Sequence, residues 1–502
     1  MSSQPILDAA TPIASQSSQR FSAMRTAILL FLFVNCVYLI TSTGRVRTID
    51  EIDPVLQSDS LLLRHSTAIP QAVGSGIWFG KRDVHGIPRS AWPVGHAILV
   101  LPWTAIGHAL AKLPGLPSAN EDLAVSAGTC WSSATFAAIA VAASFLLFLQ
   151  LGARPRIALV CSLLLAFATP LFVYSGWLYS EPATAAILLV SAWLLFGAGT
   201  SPSFSRAALA SLLLAFSIHM RPANFVSAIV FLGATFLLDR PTKLTRLPYR
   251  TTVILATFVS LSVIIYLLRN QVLFGNPFDY GVPPSAENGK DLESWHNPVW
   301  VGVFGYLISP GKSAFLFAPP IVLGILGIPA LWRRHRPLAF LCVALPVVNL
   351  LLYSIRTQWE GGYNYGPRYL VPSLVFLCLP IVMLFEGSPR WLRPAFCTSA
   401  VIGLVIQVIG LSTNVMEDMV RNHYYVGNWT YRMSYSPITG QLRLIWKYLH
   451  TPSPRLGLGW DRWFIFLHAA GAYWGLMVVI ASLFVVGALV FGTLTWSATR
   501  HA

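Results

Sequence analysis

Thr48-Ile49-Asp50-Glu51 is the first place along this chain where side chains able to do chemistry stand together. The four residues follow an apolar run near 22–42, and Asp53 and Asp59 come shortly after them. A carboxylate held where a helix leaves lipid can take a proton from a hydroxyl while an apolar leaving group stays in the bilayer. On that reading Asp50 is a general base, a role worth about 10²–10⁴ in rate. Glu51 would raise the proton affinity of its like-charged neighbour, or orient the acceptor. The same four residues also spell a capping box, with Thr48 as N-cap and Glu51 reaching back to it. Both readings hold together, because capping would fix the loop that presents Asp50.

The other candidates stand at the ends of apolar runs. Arg221-Pro222 lies between two runs with no acidic neighbour in sequence, as a phosphate clamp or as a short turn with a snorkelling Arg; His219 before it could add a donor. Arg368 follows a Gly-Pro break, where its guanidinium could grip a phosphate bidentately or pair with Glu360. Lys312 lies beside Gly311 at the mouth of the next run. Gly311-Lys312-Ser313 is no P-loop, because the preceding glycine is out of register and no strand comes before it. Glu181 precedes Pro182 at a helix start, where acids and proline are favoured on local grounds; the alternative is a second carboxylate for sugar hydroxyls or acceptor. Histidines 65, 85, 96 and 108 share the first loop but lack the spacing of a zinc site. The cysteines are scattered through apolar runs and read as small buried hydrophobes.

What must position these residues is membrane. The chain has 502 residues, 55% of them hydrophobic and 11% charged, against about 25% charged in soluble domains. Mean hydropathy is +0.62. Apolar runs long enough for a ~30 Å hydrocarbon core recur along the sequence. The net charge of +15 sits in short basic clusters between runs, the pattern of orientation signals, not of a nucleic-acid surface. Arg154/Arg156, Arg206, Arg240/Lys243/Arg246/Arg250, Arg333/Arg334/Arg336 and Arg390/Arg393 are therefore expected in the cytosol, with acidic or aromatic connectors outside. The run at 93–111 holds Pro93, Pro102, His96 and His108 between Trp92 and Trp103, and is expected as an interfacial helix on the outer face. The fold class is all-α and polytopic, with about 12 (11–13) crossings and both termini inside. Residues 1–21 are expected as a disordered cytosolic tail, 22–412 as the catalytic membrane module with outer loop 43–122, 413–463 as a further outer loop, and 464–502 as a last span and tail. Asn428-Trp429-Thr430 in that outer loop is a sequon, meaningful only in a secretory pathway.

Several segments, in order, resemble integral-membrane glycosyltransferases of the GT-C class, which include protein O-mannosyltransferases, aminoarabinose transferases and arabinofuranosyltransferase-like enzymes. Asp50-Glu51 after the first span is similar to that class's acidic pair, Trp92-Pro93-Val94-Gly95 to the start of its juxtamembrane helix, and Tyr174 to Glu181-Pro182 to its second outer acidic position. Phe274-Gly275-Asn276-Pro277, Ser309-Pro310-Gly311-Lys312 and the stretch from Trp359-Glu360-Gly361-Gly362 to Arg368-Tyr369-Leu370 resemble a bacterial subgroup of such proteins. The resemblance covers about residues 22 to 385 and fades beyond 412.

It implies a GT-C-like fold and an inverting transfer of sugar from a polyprenyl phosphate to an acceptor hydroxyl, without nucleotide sugar, cofactor or metal. Asp50 and Glu51 would form the catalytic pair, and Glu181, Arg221, Lys312, Glu360 and Arg368 would bind substrate and lipid phosphate. The partners would be the lipid-linked sugar, a glycan, lipid or protein acceptor, and the bilayer, with the active site on the outer face of the cell membrane. The basic residues depart from the mannosyltransferase pattern. A transporter or flippase for a lipid-linked glycan is the alternative, since it too needs a cationic phosphate site. Such a protein should also carry polar residues through several span centres, which here are almost empty of charge.

Overall fold

The computed structural model describes residues 11–75, 79–112, 116, 121–197, 202–238, 249–282, 295–387, 389–422, 429–450, 460, 462–469, 471 and 473–500. The described chain is a bundle of helices. In chain order they begin α1 (Thr11–Thr41), α2 (Ile49–Arg64), α3 (Pro70–Ser75), α4 (Gly95–Ala111), α5 (Glu121–Gln150), α6 (Pro155–Phe167), α7 (Leu171–Tyr174), α8 (Ser180–Phe196), α9 (Phe204–Met220), α10 (Asn224–Leu238) and α11 (Arg250–Phe274). There follow α12 (Val299–Ile308), α13 (Ala314–Phe317), α14 (Ile321–Arg334), α15 (Arg336–Ser354), α16 (Val371–Cys378), α17 (Ile381–Gly387), α18 (Leu392–Ser412), α19 (Val415–Arg421) and α20 (Pro437–His450), then helices Trp463–Ala469 and Tyr473–Arg500. Because α1 starts at Thr11, its first turns occupy part of the segment expected as a tail.

Among the described residues, 7 helices are long and apolar enough to cross a membrane: Ser22–Thr41, Glu121–Gln150, Arg250–Phe274, Arg336–Ser354, Arg368–Gly387, Leu392–Ser412 and Met477–Leu494. The shorter α6, α8, α9, α10 and α14 fall on the other runs expected to cross. Gly95–Ala111 is among the shorter apolar helices. Arg250–Phe274 is apolar on nearly every side, with Val253, Ile265 and Leu268 more than half exposed. A helix apolar all round has lipid as its natural solvent. Alanine- and serine-rich α5 is instead largely buried, and packs against α1, α4 and α8.

Small residues set the close crossings. A Cβ on Gly107 of α4 would run into the Val125 backbone of α5, and one on Gly128 of α5 into the Gly107 backbone. A Cβ on Gly95 would meet the His219 carbonyl at the end of α9. Backbones this close need glycine, as at membrane helix crossings generally. They fix α4 between α5 and α9, with α2 laid across it.

The first loop also holds an antiparallel hairpin, β1 (Gly80–Arg82) and β2 (Pro88–Ser90), in register Gly80↔Ser90, Lys81↔Arg89, Arg82↔Pro88. Its turn is closed by Asp83, whose Oδ1 accepts from the backbone of His85 and Ile87, each at 2.9 Å. The hairpin was not expected from the sequence, which there reads only as loop.

Two ends of the bundle differ in chemistry. At one, Arg334 pairs with Glu386, and the His335 ring contacts the Phe196 carbonyl at 3.1 Å. At the other, the C-terminal ends of α1 and α9 and the N-terminal ends of α2, α8 and α16 come together. The candidate site lies there.

Candidate active site

Four chain segments build the site. The first is the start of α2. Glu51 is fully buried and accepts from the backbone N–H groups of Arg47 (2.9 Å), Thr48 (3.2 Å) and, from across the molecule, Leu178 (3.2 Å). The capping box is thus present, and its carboxylate also pins the second segment, residues 175–180. Glu51 is committed to backbone and does not face the cleft. Burial pushes its pKa up, against the pull of Arg47.

Asp50, one residue earlier, points the other way. Its side chain is 27% exposed and its Oδ2 accepts from Arg368 Nη1. Burial opposes its ionisation, but the Arg368 guanidinium prevails, helped by Arg221 and Arg356, and its pKa lies below the ordinary carboxylate value. This corrects the expectation that Glu51 raises it: burial is what opposes ionisation, and the guanidiniums outweigh it.

The third segment is the turn between α9 and α10, which brings Arg221 Nη1 to 2.7 Å from Glu181 Oε1. Arg221 also lies over the rings of Tyr369 (4.5 Å) and Tyr353 (5.2 Å), which stack on each other. The arginine without an acidic neighbour in sequence therefore has one in space.

The fourth is the loop 361–368. Gly361, Gly362 and Gly366 have φ of +75°, +78° and +67°, conformations that glycine adopts without strain. Lys312, fully buried, holds this loop: its Nζ donates to Asn364 Oδ1 (2.8 Å), Asn364 O (3.1 Å) and Gly362 O (3.3 Å). Burial draws the Lys312 pKa down while Glu360 draws it up. Tyr174 OH donates to Tyr365 O at 2.9 Å. So fixed, the loop delivers Arg368, whose Nε reaches Glu181 Oε1 at 2.9 Å and whose guanidinium lies 3.6 Å over the Tyr179 ring. The expected alternative partner of Arg368, Glu360, is not what it meets.

Asp50, Arg368, Glu181 and Arg221 therefore form one chain of alternating charge. Glu181 is 1% exposed, and its Oε1 takes both guanidiniums. Such a pair of guanidiniums repays the desolvation of a buried carboxylate only when its geometry is held. Around the chain opens a cleft lined by Asp50, Gln57, Trp92, His96, Ser180, Arg221 and Arg368 among others. Of the residues singled out from sequence, Asp50, Arg221 and Arg368 line the cleft and Glu181 stands directly behind it. Lys312 and Glu360 stand further back, under the loop. Asn428 lies outside the described residues. Among the described residues no three His, Cys, Asp or Glu side chains converge as metal ligands would.

Sequence reasoning passed over several participants. Asp53, one turn beyond Asp50, is fully buried; Ser90 Oγ donates to its Oδ2 while its Oδ1 meets no donor. Burial, with Asp50 adding to it, pushes its pKa up to about 7. Gln57, a further turn along α2, donates to Trp92 O at 3.3 Å and holds the cleft wall. The i, i+3 and i+7 spacing from Asp50 was the available signal. Arg269 near the end of α11 contacts Asn270 Oδ1 at 3.0 Å, with Arg89 and His219 close enough to interact with it electrostatically. It has no carboxylate contact among the described residues. Its sequence context, Leu-Leu-Arg-Asn at a span end, gave no signal beyond its charge.

Fold and site together describe a helical membrane protein with an acid–guanidinium cleft at one end of the bundle. The chain is similar to the structure of ArnT from Cupriavidus metallidurans bound to undecaprenyl phosphate, with 15% identity over 95% of this chain and 78% of that one and a TM-score of 0.43. It is also similar to the apo Archaeoglobus fulgidus oligosaccharyltransferase, with 10% identity over 87% of this chain and 59% of that one and a TM-score of 0.44. Likenesses at this level carry no weight in the functional reading, which rests on the chain's own residues. No protein-family model and no curated protein matches the sequence.

Proposed function

We propose that this protein is a membrane glycosyltransferase of the GT-C kind. It takes a sugar from a polyprenyl phosphate and gives it to an acceptor hydroxyl at the outer face of the cell membrane. The observation that carries the reading is Asp50: a carboxylate just beyond the first apolar helix, kept ionised by Arg368, and open to a cleft it shares with Arg221. Orientation follows from the arginine-rich connectors, which belong in the cytosol; Arg334, Glu386 and His335 stand at the end of the bundle away from Asp50.

Asp50 accepts the proton of the acceptor hydroxyl as its oxygen attacks the anomeric carbon. The bond from that carbon to the phosphate oxygen breaks, and the lipid phosphate leaves with the electron pair. Attack from the face opposite the leaving group inverts the anomeric centre. A lowered pKa makes Asp50 a modest base, but one fully available near neutrality, and the step needs it only as bond making proceeds. The departing phosphate needs cations that carboxylates have not already neutralised. Arg221 and Arg368 are paired with Glu181 and Asp50. Arg269, beside His219 and Arg89, is the better candidate to receive it. The acceptor is a glycan, lipid or protein hydroxyl.

Asp50→Asn keeps the shape and removes the base. In membranes bearing the full-length chain and supplied with a radiolabelled polyprenyl-phosphate sugar, transfer of label should fall by about 10²–10⁴. Transfer at the unsubstituted rate would exclude Asp50 as the base. Accelerated lipid scrambling with no transfer in the unsubstituted protein would favour a flippase instead.

A further inference from the structure

We propose that the cleft admits an uncharged sugar ring and that His96 reads one of its hydroxyls. This rests on the glycosyl-transfer reading and narrows its substrate class.

Two observations carry it. The first is the charge balance of the walls. Arg221 and Arg368 meet Glu181 and Asp50, so two guanidiniums are matched by two carboxylates. Nothing charged is left over for a substituent on the sugar. An ammonium or a carboxylate on the ring would enter a half-enclosed site and find every opposite charge already engaged, so it would lose its hydration without compensation. A ring bearing only hydroxyls brings no such cost.

The second is His96 itself. It is 6% exposed, it lines the cleft, and its imidazole has no hydrogen-bond partner among the described residues. Its ring lines the cleft, where a ligand hydroxyl can reach it. Burial lowers the His96 pKa to about 4, so the ring is neutral and offers one donor and one acceptor, the pair a hydroxyl satisfies. Its position is fixed, because Gly95 packs against the His219 backbone immediately before it. Trp92 supplies a flat apolar wall beside it, held by Gln57.

The test is a binding measurement on the full-length protein in liposomes, which needs no acceptor. The probes are bare polyprenyl phosphate and polyprenyl phosphate carrying a neutral hexose, an amino sugar or a hexuronate. The neutral-hexose lipid should bind about 100-fold more tightly than either charged one. His96→Ala should weaken the neutral-hexose lipid about tenfold and leave the bare phosphate unchanged, which also reports that the variant is folded. His96→Gln, which keeps a donor and an acceptor, should restore most of the loss. Equal affinity for neutral and charged sugars, or an equal effect of His96→Ala on all four lipids, overturns this inference and leaves the glycosyltransferase reading standing. Failure of the unsubstituted protein to bind even bare polyprenyl phosphate overturns both.

Discussion

Replacing Asp53 by Asn should make the protein more stable as pH rises. Asp53 is fully buried, receives one hydrogen bond from Ser90, and leaves its other oxygen without a donor. Burial and Asp50 move its pKa from 3.8 to about 7 in the folded protein. A raised carboxyl pKa means that the folded state holds the proton more tightly than the unfolded one. The stability this confers is full below the unfolded value and is lost as pH climbs through the folded one. A displacement from 3.8 to about 7 corresponds to a loss on the order of 4 kcal/mol across that window. Asn is always neutral and its Oδ1 can still accept from Ser90, so Asp53→Asn does not undergo this loss. Thermal unfolding of both proteins in one detergent, at steps from about pH 5 to about pH 8, should show a gap widening in favour of the variant until near neutrality. The gap should then stay constant, because above the folded value neither form changes further. Other titrating groups are common to both proteins and cancel in the difference. Unfolding temperatures that run parallel over the whole range would refute the argument and mean that Asp53 is solvated or paired by a donor.

Two further substitutions separate roles that the sequence could not. Lys312→Met should destabilise the protein by roughly 3–5 kcal/mol, because the Gly362 and Asn364 oxygens lose a buried donor; denaturant titration measures this. Affinity for bare polyprenyl phosphate should be kept, and a selective loss of that affinity would instead make Lys312 a phosphate ligand. Arg269→Gln should lower kcat/KM for the lipid donor by about 10–100-fold, with kcat falling too because charge grows on the departing phosphate in the transition state. An unchanged kcat/KM in a steady-state assay would move the phosphate elsewhere.

What could be read from the sequence is what depends on near neighbours. Apolar runs about one bilayer long announce the spans, since each helix satisfies its own backbone and needs only an apolar exterior. Thr48 and Glu51 announce the start of α2, because a capping box is closed within three residues. Pro102 and the paired tryptophans mark 93–111 as different from its neighbours. Asp50 stood out by its place at a span end. The partners of Arg368 could not be read in this way. It meets Asp50 across 318 positions and Glu181 across 187, and no local pattern encodes which of several outward carboxylates a guanidinium will find. Lys312 and Glu360 looked equivalent to Arg221 and Arg368 as charges at helix ends. Packing of the 361–368 loop put the first two behind the cleft and the last two in its wall, and gave Glu51 to the backbone while leaving Asp50 open. Local order along the chain sets the helices and the charges they carry. Which charges neutralise one another, and which face the cleft, follows from backbone approaches between distant segments, such as Gly95 on His219.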